Sequence, residues 1–359
     1  MKLYRTLSLL VVGLGAAGLT AAQGCGGSSG DSGTTPPPVT TGRTPPAAPA
    51  GAPVSDTPAR TFALNQLFLG ETGRNGAPLK DAWKDYGYNI DGLITTKDSK
   101  DVCTRQAGAD SAKQEDGKEG IDNAFGRTVL GFILGLVPTP SKTINDSIQG
   151  GSFTILLDIK GLTDDAKQTA TGLGGRLLVG GAYGVGKKPA FTPTDDWPYR
   201  ANPIVPIQGA YINNGTFVNG SGGATVELSL FIQGVQLSLT INRAAITFDH
   251  QPPNDITNGT ISGVINTEAL VSGIEKVAGR ISTQLCGGST LDTIKQTIRQ
   301  ASDILEDGTN RVGVPCNAIS IGLGFTGKRI GPPATIATDA PPPPDPCKAT
   351  ADAGTGDGG

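Results

Sequence analysis

The chain has 359 residues, 53 of them Gly and 26 Pro, with 17% charged and 5% aromatic residues and a net charge of −3. No Gly-X-Y period runs through it, which excludes collagen, and no apolar run of about 18 residues lies beyond the N-terminal segment, which excludes a polytopic helical membrane protein. The slight acidity and the lack of a basic block exclude a nucleic-acid partner.

Residues 1–24 read as a signal peptide. Lys2 and Arg5 form a positive n-region, and Thr6 to Leu19 an apolar stretch of 14 residues, too short to span a bilayer. The residues Ala22-Gln23-Gly24-Cys25 that follow resemble the lipobox of bacterial lipoproteins. That resemblance implies cleavage before Cys25, a diacyl lipid of the palmitate type on that Cys, usually a further acyl chain on the new N-terminus, and a membrane partner through the anchor. Gly26 stands where an Asp would favour inner-membrane retention, which points to the outer membrane of the cell envelope. Two or more acyl chains anchor stably where one would be marginal.

Residues 25–56 are the lipidated Cys and a Gly/Ser/Pro-rich linker, with too few apolar groups to repay ordering. Residues 57–330 form the domain, and 331–359 a Pro/Gly-rich tail of the same disordered character as the linker. Phe62 to Leu69 is a short apolar start, and residues 72–122 are polar and acidic, a long loop region. Ala124 to Val137 suits a buried helix with Asp122 or Asn123 as N-cap. The period then becomes two. Phe153, Ile155, Leu157 and Ile159 alternate with polar or opposite-facing residues, and Val226–Ile232 and Val235–Asn242, joined by Gln233-Gly234, read as a hairpin. Further strands are predicted at 176–183, 205–213, 245–249 and 259–265. Helices follow at Glu268–Leu285 and Leu291–Leu305, the second capped by Ser289, and Asn317–Phe325 is the last strand. The expected fold is β-rich α+β: an antiparallel, jelly-roll-like β-sandwich with a few packed helices.

With Cys25 lipidated, four cysteines remain, an even number suited to disulfides in an exported chain. Three pairings are open. Cys286 with Cys316 is favoured, tying a helix end to the last strand and leaving Cys103 with Cys347.

Three familiar strings fail on context. Gly13-Leu14-Gly15-Ala16-Ala17-Gly18 spells a dinucleotide fingerprint inside the signal peptide, and Gly30-Asp31-Ser32-Gly33 a protease nucleophile motif inside the linker. Gly181 to Lys188 approaches a phosphate-binding loop, but Lys188 stands where Ser or Thr is needed and Pro189 follows. His250, the single histidine, reads as a loop residue at a strand end. The acids between Asp85 and Asp122 offer oxygen ligands on a turn-rich loop. Asp116, Glu119 and Asp122 are therefore candidate ligands of a structural calcium, set against a solvated acidic loop that caps the next helix. No other cofactor is expected.

The stretch from Trp83 through Tyr86-Gly87-Tyr88-Asn89-Ile90-Asp91-Gly92 and Cys103 to Gly120-Ile121-Asp122-Asn123-Ala124-Phe125-Gly126 resembles uncharacterised Gly-rich bacterial lipoproteins. The resemblance implies one domain type and carries over no activity. The expected function is non-catalytic: a lipid-anchored binding or structural domain of the cell envelope. Tyr183, Phe191, Trp197, Tyr199 and Tyr211 would face a glycan, or the surface would hold an envelope protein. The alternative is a glycosidase-like enzyme using paired carboxylates, of which Asp195-Asp196 beside Trp197 is the most suggestive cluster.

Overall fold

The computed structural model describes residues 42–51, 53–54, 57–219, 224–232, 235–338 and 344–348, all within one compact unit. The expected signal peptide and Cys25 lie outside the described residues.

Alternating apolar residues build nine antiparallel strands: β1 (Arg60–Phe68), β2 (Thr154–Lys160), β3 (Ala170–Gly180), β4 (Tyr199–Asn213), β5 (Thr216–Val218), β6 (Ala224–Ile232), β7 (Val235–Gln251), β8 (Asp255–Asn266) and β9 (Ala318–Ile330). Four helices accompany them: α1 (Leu130–Leu136), α2 (Pro140–Gln149), α3 (Thr267–Ile281) and α4 (Gly288–Gln300). The strands do not form two facing sheets. Hydrogen bonding runs β1-β2-β3-β4-β5 and then β7-β8-β9, and β9 pairs back onto β1. The result is a closed eight-stranded antiparallel barrel, which corrects the sandwich expectation. Closure rests on β5, whose three residues pair with β4 on one side and with the end of β7 on the other: Thr216 opposite Asp249, Phe217 opposite Phe248, Val218 opposite Thr247. Alternation reports one buried face per strand, and a sandwich and a barrel satisfy it equally. β6 stands outside the ring, paired with the first half of β7 as an arm against which α3 also packs.

The barrel is filled. Phe248 on β7 lies 6.4 Å from Phe62 on β1, and 4.6 and 6.5 Å from Phe217 and Phe325 (ring centroids). β1 and β7 are not neighbours in the wall, so the first contact runs through the interior. Leu157, Ile159, Leu177, Ile256 and Leu323 complete this core.

The outer wall is covered as well. Residues 72–123 contain short 3-10 turns and no strand or α-helix, and fold over β8 and β9. Glycine permits this contact: a Cβ at Gly322 or Gly324 would run into the backbone or ring of Tyr86. Asn123 fastens the layers. Its Nδ2 donates to Trp83 O, Tyr86 O and Gly322 O, and its Oδ1 accepts from Gly322 N and from Gly126 N at the start of the helical segment. That segment winds as a π-turn over Phe125–Val129 before α1 begins.

Several boundaries differ from expectation. β7 absorbs the separate strand expected at 245–249. α4 starts after Gly287, so Ser289 lies inside it, and it ends at Gln300 because Ile304 turns to pair with Ala318. The linker and tail are partly docked: Val54 N donates to Thr171 O, Tyr211 Oη to Pro46 O, and Ile336 bridges to Tyr199. Among the described residues no helix is long and apolar enough to cross a membrane.

Two disulfides are present, and their pairing corrects the favoured one. Cys103 is joined to Cys316 and Cys286 to Cys347, with Cα–Cα distances of 5.2 and 5.1 Å. Thr104 runs beside Pro315 at the start of β9, so the outer layer delivers Cys103 to Cys316. Cys286 closes the turn after α3 and takes the tail instead.

Candidate functional site

The residues singled out from sequence are not gathered into one site. Asp122 is buried and accepts from the N–H groups of Ile90 and Asp91, Asp116 accepts from Thr95 N, and the exposed Glu119 sits at φ 54°. Each of the two aspartates holds a turn of the outer layer. Among the described residues no group of three His, Cys, Asp or Glu side chains is placed to hold a metal.

Asp195 Oδ2 accepts from the N–H groups of Ala190, Phe191 and Thr192, and Asp196 from Ala334 N and Thr335 Oγ1. The first closes a turn and the second secures the tail, so they do not face each other across a cleft. Trp197 is fully buried, donates Nε1–H to Gly181 O, and packs with Tyr183 and Phe191 over Leu156 and Leu178 outside the barrel wall. It presents no face to a sugar. Tyr211 is 4% exposed and is likewise spent on packing. Residues 181–188 form a turn with Val185 at its exposed tip, and no helix follows to offer N–H groups to phosphate.

His250 belongs to the barrel interior. It is 1% exposed, edge-on to Phe62 at 5.9 Å, and neither ring nitrogen has a hydrogen-bond partner among the described residues. Burial lowers its pKa to about 4.

What the chain does assemble is a polar cleft of about 460 Å³ on the outer face of β7 and β8. Its walls come from three distant parts of the sequence. Arg43 is supplied by the docked end of the linker, held where Arg43 N donates to Glu119 O and Asn89 N to Arg43 O. Arg74 comes from the turn after β1, where Gly73 N donates to Ala77 O. Tyr88, Thr216, Thr247, Phe248, Asp249, Asn258 and Thr260 complete the lining with Thr44 and Pro46.

Arg74 is half-buried. It stacks 4.9 Å over the Tyr86 ring and donates from Nη1 to Gly259 O and from Nη2 to Thr260 Oγ1, at 2.6 and 2.9 Å. Arg43 lies 6.0 Å from the Tyr88 ring centroid, and its Nη1 reaches Asp85 O at 3.4 Å. Neither guanidinium forms an ion pair among the described residues. Burial is the main influence lowering the Arg74 pKa; Tyr86 opposes it, and the neighbouring Arg43 charge adds to it. The one acid of the lining, Asp249, is held by Thr216 Oγ1 and Asn258 Nδ2, each at 2.8 Å. Tyr88 Oη and Thr247 Oγ1 share a hydrogen bond of 2.8 Å. The cleft thus carries two cations, one anion, a set of hydroxyls and the Asn258 amide. No sequence motif announced it, because its two arginines stand singly and 31 positions apart.

A second electrostatic feature lies under the outer layer. Burial pushes the Asp303 carboxyl up to about 7, although Ser320 donates to it from both N and Oγ. Asp116 is raised to about 8 and Asp122 well above its ordinary range, again chiefly by burial and then by the charges of Asp91 and Asp303, to which Asp116 adds at Asp122. The folded chain therefore retains protons that the unfolded chain releases near pH 4. Their contribution to stability is complete below that value and is lost as pH rises toward 7–8. His250 acts oppositely between about 4 and its ordinary 6.5, because the folded state then binds fewer protons. Above pH 6.5 only the carboxyl effect remains. The melting temperature is expected to fall between pH 6.5 and 8, and Asp303→Asn, which keeps an acceptor for Ser320 N, is expected to reduce that fall. Differential scanning fluorimetry across this range checks it; a flat profile in the native protein would refute the assignment.

Comparison with known protein families, curated proteins and solved structures finds no match to the chain.

Proposed function

We propose that this chain is a lipid-tethered protein of the bacterial cell envelope, held at the outer membrane through Cys25, whose barrel is a non-catalytic binding module with its docking site in the Arg43–Arg74 cleft. The carrying observation is that cleft: two guanidinium groups share it without a carboxylate partner. Buried or half-buried charges are ordinarily paired, and an unpaired one is available to a ligand. Among the described residues the lining holds no His or Cys, and its single carboxylate accepts from Thr216 and Asn258, an arrangement suited to holding rather than to acid–base work.

The envelope assignment draws on two further features. The lipobox residues Ala22 to Cys25 follow a signal-like segment, and the two disulfides suit an oxidising compartment. Cells expressing the full chain and fed an alkynyl palmitate analogue are expected to label it in the envelope fraction. Cys25→Ala is expected to abolish the label and release the protein from that fraction. An unlabelled native chain, or a label that survives Cys25→Ala, would refute the tether.

A further inference from the structure

We infer that the Arg43–Arg74 cleft takes a small hydroxylated ligand carrying one oxyanion, a phosphate or a carboxylate on a sugar-sized body. This rests on the reading of the cleft as the docking site and adds the chemical class of its occupant. Three observations lead to it. First, Arg74 is half-buried with two of its five N–H donors spent on Gly259 O and Thr260 Oγ1, and Arg43 spends one on Asp85 O. The remaining donors of two planar forks match the oxygens of a carboxylate or phosphate, which guanidinium binds bidentately. Secondly, the Arg43 charge that shares the cleft disfavours that of Arg74, and an oxyanion bound in the cleft offsets this. Thirdly, the rest of the lining recognises hydroxyls. Asp249, fixed from both sides, accepts from a ligand O–H, and Tyr88, Thr247 and Asn258 offer neutral donors and acceptors. Asp249 also sets a limit on charge, since it repels a second anionic group on the ligand. The volume of about 460 Å³ lies within the range of small-molecule sites.

The test uses the mature chain with its disulfides intact and Cys25→Ser to keep it in solution. Melting temperatures are measured with inorganic phosphate, glucose 6-phosphate, glucuronate or glucose, in low-chloride buffer because salt screens the attraction. A ligand at a hundredfold excess over Kd is expected to raise the melting temperature by about 5 °C. The expected order places glucose 6-phosphate or glucuronate above inorganic phosphate, with glucose weakest; the two anionic sugars against each other show which oxyanion is preferred. Arg74→Gln and Arg43→Gln are each expected to weaken the effect at least tenfold. The Arg43 side chain makes a single long hydrogen bond to the domain, so Arg43→Gln tests the site even if Arg74→Gln unfolds. Anion stabilisation that persists in Arg43→Gln and Arg74→Gln would overturn the inference by placing the anion elsewhere. A shift with glucose alone, lost in the variants, would overturn the ligand class and leave the docking site standing. No shift with any of the four would overturn both.

Discussion

Phe248→Ala is expected to lower the unfolding free energy by about 3–5 kcal/mol, the range for removing a fully buried ring. The side chain is 1% exposed and touches the rings of Phe62, Phe217 and Phe325, which come from three other strands. A barrel interior cannot collapse around the resulting space as freely as a loop-lined core, because hydrogen bonding around the ring fixes its circumference. The loss is therefore expected near the upper end of that range, and Phe248→Leu is expected to restore part of it. Urea unfolding checks this through the midpoint at unchanged slope, with Val185→Ala at an exposed turn as a control expected to change stability by less than about 0.5 kcal/mol. A loss below about 1 kcal/mol for Phe248→Ala would mean that the ring does not fill the barrel.

The second large effect is expected from the Cys103–Cys316 bridge. Replacing both residues by serine removes a link across a sequence separation of 213 and is expected to reduce stability by about 2–5 kcal/mol. Removing Cys286–Cys347, with a separation of 61, is expected to cost about 1 kcal/mol less on loop-closure grounds. Local structure widens the gap. Cys103 and Cys316 are buried beside Leu305, whereas Cys286 and Cys347 are half-buried, and Cys347 belongs to the short described piece of tail, 344–348. Non-reducing peptide mapping should recover Cys103 joined to Cys316. A peptide joining Cys286 to Cys316, or equal losses in the two variants, would contradict this account.

The strands were readable because the large apolar residues that fill the barrel recur at every second position, even where the outer face is covered too. Phe153 to Lys160 and Asn317 to Phe325 fall within a few residues of β2 and β9. The closure was not readable. It depends on β5, three residues long, pairing with two partners, and three residues carry no period. α2 escaped for a related reason: Ile144 and Ile148 are its only large apolar side chains, and the rest of Pro140–Gln149 is polar. The acidic loop and Asp195-Asp196 looked like chemistry because carboxylates that accept backbone N–H bonds are indistinguishable in sequence from carboxylates that act on a ligand. Trp197 misled in the same way, since an indole packed on Leu156 and Leu178 has the same letter as one that stacks on a sugar. The cleft was hidden by its construction. Arg43 stands in a segment whose composition reads as linker, and only the fold brings it to Arg74, Tyr88 and the outer face of β7.

The seam between β1 and β9 has a consequence for the order of assembly. These first and last strands lie side by side, with Thr61 opposite Ile330 and Phe68 opposite Gly324. A chain emerging from its N-terminus can form the meander from β1 to β4, but one edge of that sheet stays open until residue 318 and beyond have appeared. Until then the inward-facing phenylalanines are uncovered and the edge of β1 is a template for any passing strand. Completion is therefore a late, long-range event, slow by the measure of contact order. Truncation before β9 removes the closing member of the ring and leaves an open sheet.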